Sequence, residues 1–244
     1  MNASVSRIGA VVRKEFAEFR RNRFIVVSTC ILPVLFLISP TVSILAGKAS
    51  ALTTVLDKRV EASLFLPLLI PVLVPALLSA YSVIGERDQG TLEPVLTTPV
   101  GRGELLIGKA VAIFLPTVAI AYVMFGVFVA ITQFAAASPV AAAVLRAPQL
   151  PAELVFIPLL AGWAIWVGLA ISARATDTRV AQQLSVLGSL PPVAVAALMS
   201  FQLISPTFWL VVALAAGLLA IDCAACLLVA QLFDRERLVT GRRR

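Results

Sequence analysis

Six apolar stretches, each about 20 residues or longer, constrain this chain more than any other feature of its sequence. An α-helix needs about 20 apolar residues to cross a bilayer, and its backbone groups must be paired within the segment. The predicted spans cover residues 24–46, 62–84, 105–133, 154–173, 184–204 and 207–233. The sequence therefore predicts an all-α, polytopic membrane protein, with one six-span transmembrane domain over 24–233.

Composition and charge favour the same class. Of 244 residues, 60% are hydrophobic and 14% are charged, whereas soluble domains are nearer 45–50% and about 25%. The net charge of +7 does not indicate a nucleic-acid partner, because the basic residues cluster at the ends of the apolar stretches. The chain has no histidine, which excludes histidine-ligated haem, zinc–histidine sites and histidine base catalysis.

Residues 1–23 are predicted to form an amphipathic interfacial helix. Apolar residues recur there at helical spacing: Val5, Ile8, Val12, Phe16 and Phe19. The opposite side carries Arg13, Lys14, Glu18, Arg20 and Arg21. This pattern is typical of a helix that lies in the membrane interface with its basic residues toward the headgroups. At the other end of the chain, 234–244 is a basic tail.

The longest polar interruption, Gly85–Lys109, lies between the second and third spans and is too charged to lie in hydrocarbon. Thr91 can cap a short helix, on which Leu92, Val95 and Leu96 share one side. The loop at 85–103 therefore presents a small apolar face outside the bilayer, where a partner can bind.

The same interruption contains the start of a phosphate-binding pattern, Gly103, Gly108 and Lys109. That pattern needs a preceding strand and a Ser or Thr after the lysine, but Ala110 follows here. We interpret the segment as a helix start at which Lys109 snorkels toward water.

Prolines predict distortion in two spans. Pro67, Pro71 and Pro75 recur every four residues in the second span, and Pro191 with Pro192 interrupts the fifth. Each proline removes a backbone hydrogen bond, so a kinked second helix and a broken fifth helix are expected. Loops are expected at 47–61 and, in an Ala- and Pro-rich segment, at 135–152.

Orientation follows from the distribution of Lys and Arg. Sixteen of the 20 basic residues lie in 1–23, 85–109, 174–179 and 234–244, and the other four lie in 47–61 and 135–152. Because cytoplasmic loops carry the excess of basic residues, both termini and the 85–109 stretch are predicted to be cytoplasmic, in a multi-pass protein of the cell membrane.

Asp222 is expected to be the only acidic residue deep inside a span. A carboxylate at membrane depth is costly and marks a candidate functional residue. The alternative is a structural Asp at a helix contact, next to the small residues Ala215, Ala225 and Cys226. Cys223 and Cys226 are interpreted as packing residues, because hydrocarbon disfavours the thiolates that metal or redox chemistry requires.

The N-terminal helix, the six spans and the polar stretch together resemble the ABC-2 type transporter permeases, the membrane subunits of ATP-driven exporters. The resemblance depends on a Glu-rich motif followed by a proline and a later Gly-Lys pair. Its residues are Glu86, Gly90, Thr91, Leu92, Glu93, Pro99, Gly108 and Lys109. The segment ISARATDTRVAQQLSVLGSLP is also similar to the family's connection between spans four and five.

The resemblance implies a mechanism. The polar stretch would contain a coupling loop, 85–103, with a coupling helix that binds a separate ATPase subunit. The N-terminal helix would be the family's connecting helix. Residues that would contact the ATPase subunit are Glu86, Gly90, Thr91, Leu92, Glu93, Val95, Leu96 and Pro99. Two permease chains, identical or different, would pair around the path along which the substrate crosses the membrane. The chain itself would bind no cofactor or metal and catalyse no reaction, with ATP and magnesium on the partner.

Two other functions remain open from the residues alone. One is a secondary transporter or ion pathway in which Asp222 carries the coupled ion. The other is a scaffold subunit of a membrane complex. The polar, basic-rimmed stretch at 85–109 favours the ATP-driven permease, because an ion-coupled carrier has no need of it.

Overall fold

The computed structural model describes residues 2–46, 53–88, 90, 100–147, 149–201, 203–204 and 207–232. All regular elements in these ranges are helical. The α-helices are α1 (Asn2–Arg21), α2 (Arg23–Leu45), α3 (Thr53–Phe65), α4 (Ile70–Asp88), α5 (Arg102–Ala135), α6 (Ser138–Arg146), α7 (Gln149–Ser172), α8 (Thr178–Ser200) and α9 (Phe208–Leu232). A single 3₁₀ turn, Leu66–Leu69, joins α3 to α4.

Within the described ranges, six segments are long and apolar enough to cross a membrane: Ile25–Leu45, Val55–Arg87, Gly103–Ala135, Gln149–Ser172, Thr178–Ser200 and Phe208–Gln231. They correspond one to one with the predicted spans. The all-α, six-span class is therefore confirmed, with shifts of a few residues at the ends of most helices.

Two segments predicted as loops contain helices instead. In α3, Leu56, Val60 and Leu64 are buried at four-residue spacing, although polar residues surround them in the sequence. In α6, Val140 and Val144 are buried in the same way. A one-sided apolar stripe is enough to hold a short helix against the bundle, which the polar and Ala-rich composition concealed.

The prolines act differently in the two affected spans. In the second span, α-helical geometry gives way to the 3₁₀ turn that contains Pro67, so the predicted distortion is present. In the fifth span, α8 runs unbroken through Pro191 and Pro192, so the predicted break is wrong. Prolines are tolerated in such helices because neighbouring elements hold the helix in place, and here Val193 is buried directly after the pair.

Helices α4 and α7 form the centre of the bundle. A Cβ atom on Gly168 of α7 would lie 1.8 Å from the Ser79 hydroxyl oxygen of α4, so only glycine allows this approach. One turn further on, the Ser172 hydroxyl accepts hydrogen bonds from the backbone N–H groups of Val83 (3.1 Å) and Ile84 (3.2 Å). Helix α9 packs mainly on α7, while α1 packs along α5 and α2.

Candidate functional site

The structure describes both ends of the predicted coupling loop but not its middle. Glu86 lies near the end of α4, and Gly90 follows in a left-handed conformation with φ of 67°, which glycine adopts without strain. The remaining residues predicted to bind an ATPase subunit lie outside the described residues: Thr91, Leu92, Glu93, Val95, Leu96 and Pro99. What the structure shows is how the flanking helices are held.

Four charged side chains meet where α1, α4 and α5 join, and we name Lys14, Glu15, Glu86 and Lys109 the basal cluster. The Lys109 ammonium lies 2.7 Å from a carboxylate oxygen of Glu15 and 2.9 Å from one of Glu86. It also donates a hydrogen bond to the Ser82 carbonyl at 3.1 Å. The cluster therefore links the N-terminal helix to both helices that flank the coupling loop.

Lys109 is fully buried, with 0% of its surface exposed. The prediction that it snorkels toward water is wrong. Snorkelling offsets the cost of desolvating a lone lysine, but here α1 and α4 each supply a carboxylate to the ammonium. A paired charge with satisfied hydrogen bonds can remain inside a protein, whereas an unpaired one cannot do so without a large penalty.

Lys14 closes the outer side of the basal cluster. Its ammonium contacts the second carboxylate oxygen of Glu86, and it lies 2.9 Å from Glu18 and 3.5 Å from Glu15. Burial acts to lower the pKa of Lys14, but the Glu86 and Glu15 carboxylates outweigh burial and raise that pKa above its usual value. Lys14 therefore stays charged.

Glu15 is the member of the basal cluster that sequence reasoning missed. It lies four residues from both Val11 and Phe19, on the side of α1 that packs against the bundle, and is only 1% exposed. Burial acts to raise the pKa of its carboxyl, and the Lys109 ammonium opposes that shift. An acidic residue in register with an apolar helix stripe was the available signal.

Gly108, which precedes the buried lysine, lies where α1 and α5 are in close contact. A Cβ atom at this position would lie 2.6 Å from Cγ1 of Val11 and 3.5 Å from the Ile8 carbonyl. The absence of a side chain lets α1 approach α5 closely, and this approach brings Glu15 within reach of Lys109. The Gly-Lys pair thus has a packing role and an ionic role, neither of which requires a nucleotide.

Further polar contacts secure the two ends of the coupling loop. The Arg7 guanidinium of α1 lies 2.9 Å from one carboxylate oxygen of Glu104, whose other oxygen accepts a hydrogen bond from the Gly101 N–H at 2.8 Å. Glu104 thereby caps the start of α5. At the end of α4, Arg87 donates a hydrogen bond to the Ala175 carbonyl at 2.9 Å, between α7 and α8.

One acidic group of the basal region has the spacing of a metal site. Single carboxylate oxygens of Glu15, Glu18 and Glu86 lie within 4.8 Å of one another. Lys14 contacts all three carboxylates, and Lys109 contacts two of them. These ammonium groups supply the positive charge that a cation would bring, so we interpret the group as an ion-pair network.

Asp222, the predicted intramembrane candidate, lies in α9 and is 8% exposed. Its carboxylate faces Gly162 of α7, where a Cβ atom would lie 2.7 Å from Oδ2. Its Oδ1 atom is buried and has no hydrogen-bond partner among the residues that the structure describes. Asp222 therefore sits at a contact between α9 and α7.

A second acidic residue, Glu153, is buried near the start of an apolar helix, and the sequence did not predict its burial. Helix α7 begins at Gln149, five residues before the predicted span, and this places Glu153 within the apolar helix. Glu153 is 2% exposed, and within the described ranges neither of its carboxylate oxygens has a hydrogen-bond partner.

Comparison with known proteins assigns the family. A family profile described as "ABC-2 family transporter protein" matches residues 9–206. Two proteins with the name "Probable ABC transporter permease protein NosY" are similar to part of the chain. The one from Stutzerimonas stutzeri is 30% identical over 112 residues, which cover 44% of this chain and 38% of the relative. The one from Pseudomonas aeruginosa is 31% identical over 107 residues, or 42% and 37%.

The matched part thus spans well under half the length of either curated relative. The family profile, in contrast, spans most of the chain, from within α1 to the connection before α9. It includes all four residues of the basal cluster and both ends of the coupling loop. This multi-pass membrane protein belongs to the ABC-2 family of transporter proteins.

Proposed function

We propose that this chain is the membrane-spanning permease subunit of an ABC exporter. In this proposal it moves substrate by alternating access, driven by ATP hydrolysis on a separate subunit that binds ATP and magnesium. The observation that carries the proposal is the family match over 9–206 together with the six apolar helices. The two similar proteins are themselves named as permeases, which supports the same role.

The basal cluster supports a coupling role for the loop between α4 and α5. Glu86 lies near the end of one flanking helix and Lys109 lies in the other. The two side chains contact each other, and each also contacts a charged residue of α1. A partner that displaces the loop would therefore move α1, α4 and α5 together, and α4 packs on α7 at the core. Since Glu86 is 4% exposed, its proposed contribution is to hold this unit together from within.

The assembly that follows is a pair of permease chains, identical or different, with two ATPase subunits in a lipid bilayer. Both termini and the coupling loop would face the cytoplasm. In a variant without native cysteines, Arg146→Cys is then expected to react with a membrane-impermeant thiol reagent added to intact cells, whereas Asp177→Cys should not. Labelling of Asp177→Cys from outside would reverse the proposed orientation.

The decisive experiment changes the apolar side of the coupling loop. Burial of one leucine against a partner is worth roughly 1.5–3 kcal/mol, and burial of an unpaired carboxylate costs more. Leu96→Glu should therefore weaken association with the ATPase subunit by about 10²-fold or more. The experiment measures how much Walker-type ATPase co-purifies with the tagged chain, relative to the amount of permease. The ATPase is identified by mass spectrometry and by its ATP hydrolysis.

Leu96→Met is the matched control, because it keeps an apolar side chain of similar volume and should retain association. Membrane insertion should be unchanged in both variants. Normal association and transport in Leu96→Glu would show that the loop does not bind the ATPase subunit. Absence of any co-purifying ATPase from the unaltered chain would favour the scaffold or ion-coupled alternatives.

A further inference from the structure

A cavity of about 360 Å³ lies between α7, α8 and α9, away from the basal cluster. Small-molecule sites typically occupy about 300–1,000 Å³ and have mostly apolar walls with a few polar groups. The wall here includes Phe156, Leu160, Met199, Leu214 and Ile221, and no Lys or Arg of the described chain lines it. The cavity therefore has the size and apolar character of a ligand site.

One side of helix α7 forms a continuous stripe along this cavity. Gln149, Glu153, Phe156, Leu160 and Trp163 recur at three- and four-residue spacing, and all of them line the cavity. Residues with this spacing share one face of an α-helix. Glu153 thus lies on the cavity side of α7, between a polar glutamine and an aromatic segment.

Three polar side chains of this stripe have buried atoms without hydrogen-bond partners in the part of the chain that the structure describes. The atoms concerned are both carboxylate oxygens of Glu153, the amide oxygen and nitrogen of Gln149, and the indole nitrogen of Trp163. Buried polar atoms are almost always hydrogen-bonded, and a buried carboxylate without a counter-charge is especially unfavourable. No hydrogen bond within these ranges holds the Glu153 carboxylate in place, so a ligand can recruit it.

We propose that this cavity binds a lipophilic amine in its ammonium form. The apolar body would fill the space between Phe156 and Met199, and the ammonium would donate hydrogen bonds to Glu153 and to the Gln149 amide oxygen. Charge complementarity selects an amine over a lipid acyl chain, which would leave Glu153 unpartnered. Such binding is independent of the proposed function, because it does not require that the amine be transported.

Binding can be measured on the full-length protein in lipid nanodiscs, with any co-purified subunits present. The probes are radiolabelled 4-phenylbutylamine and the neutral 4-phenylbutan-1-ol, each corrected for uptake by empty nanodiscs. We expect the amine to bind at least about tenfold more tightly than the alcohol, because only the amine can form a charge-assisted hydrogen bond with Glu153. Glu153→Gln should remove this preference and leave alcohol binding unchanged.

Two further variants locate the site. Asp222→Asn also neutralises a buried carboxylate, but Asp222 does not line the cavity, so the amine preference should persist. Gly217 does line it, and a Cβ atom there would have no neighbour within 4 Å, so Gly217→Leu should fill space and weaken both probes. Equal affinity for amine and alcohol in the unaltered protein would overturn the proposal, as would an amine preference retained in Glu153→Gln or lost in Asp222→Asn.

Discussion

Among the residues that the structure describes, two regions bury carboxylates, and they do so in opposite ways. In the basal cluster, Glu15 and Glu86 share the Lys109 ammonium at 2.7 and 2.9 Å. Along α7 and α9, Glu153 and Asp222 are buried to a similar degree, yet Glu153 as a whole and Oδ1 of Asp222 lack partners among the described residues. The regions thus differ in pairing and not in burial.

This difference separates two uses of a buried charge. Charges paired within one chain fix the relative position of the helices that carry them, so the basal cluster is interpreted as a mechanical junction. A carboxylate without an internal partner has a free-energy cost that the fold alone does not offset. Glu153 lines the cavity and is interpreted as a ligand-binding group, whereas Asp222 lies at the contact between α9 and α7 and is interpreted as structural. Pairing thus identifies the mechanical junction, and position along the cavity separates Glu153 from Asp222.

The largest expected effect comes from Lys109→Met. It leaves two buried carboxylates with only Lys14 to balance them, and breaking a buried ion pair on one side costs about 3–5 kcal/mol. The free energy of unfolding, measured by SDS titration in mixed micelles, should fall by that order. Lys14→Met is the control and should cost clearly less, because Lys14 is partly exposed and Lys109 remains. Equal losses of stability in the two variants would show that burial of a lysine does not determine how much its ion pairs contribute.

A smaller effect is expected from Gly108→Ala. The new methyl group would meet Val11 at 2.6 Å, and overpacking of a close helix contact costs about 1–3 kcal/mol. Gly126→Ala, in the same helix, meets no atom within 4 Å and should be neutral or slightly stabilising. The same SDS titration compares the two variants. If both behave alike, close approach of α1 to α5 is not required.

The smallest expected effect on stability is that of Asp222→Asn in the unpaired region. The substitution keeps the shape of the side chain and removes a charge with no basic partner in the described chain, so the free energy of unfolding should change by less than about 1 kcal/mol. Assembly and most transport should also be retained. Complete loss of transport by an assembled, ATPase-active complex would instead support the ion-coupled alternative.

Much of the fold was predictable because hydropathy reports directly on membrane spans. The predicted spans agree with the helices to within a few residues at most ends, and the larger shifts are at the starts of the second, fourth and fifth spans, which begin earlier than predicted. The short helices α3 and α6 were missed, since each is held by a few buried side chains such as Leu64 and Val144 within otherwise polar or Ala-rich sequence. The early start of α7 was also missed, because residues 149–153 include Gln, Pro and Glu, which do not extend an apolar stretch. The burial of Glu153 was missed with it.

The candidate site was less predictable, because its partners are distant in sequence. Lys109 meets Glu15 across 94 positions, and no local pattern encodes that pairing. The sequence shows the Gly-Lys pair, but only the fold explains it: the glycine allows close approach of two helices, and the lysine forms a buried ion pair. The coupling role of residues 91–99 remains a prediction, since they lie outside the described residues.

A buried ion pair joins α1 to α5, and a double-mutant cycle on Glu15 and Lys109 tests this claim. Glu15→Met with Lys109→Met removes one charge of each sign and leaves Glu86 paired with Lys14. Replacement of a whole buried pair by apolar residues is commonly near neutral, so the double variant should be more stable than Lys109→Met alone, with a coupling energy of about 2 kcal/mol or more. Losses that add to within about 0.5 kcal/mol would contradict the claim.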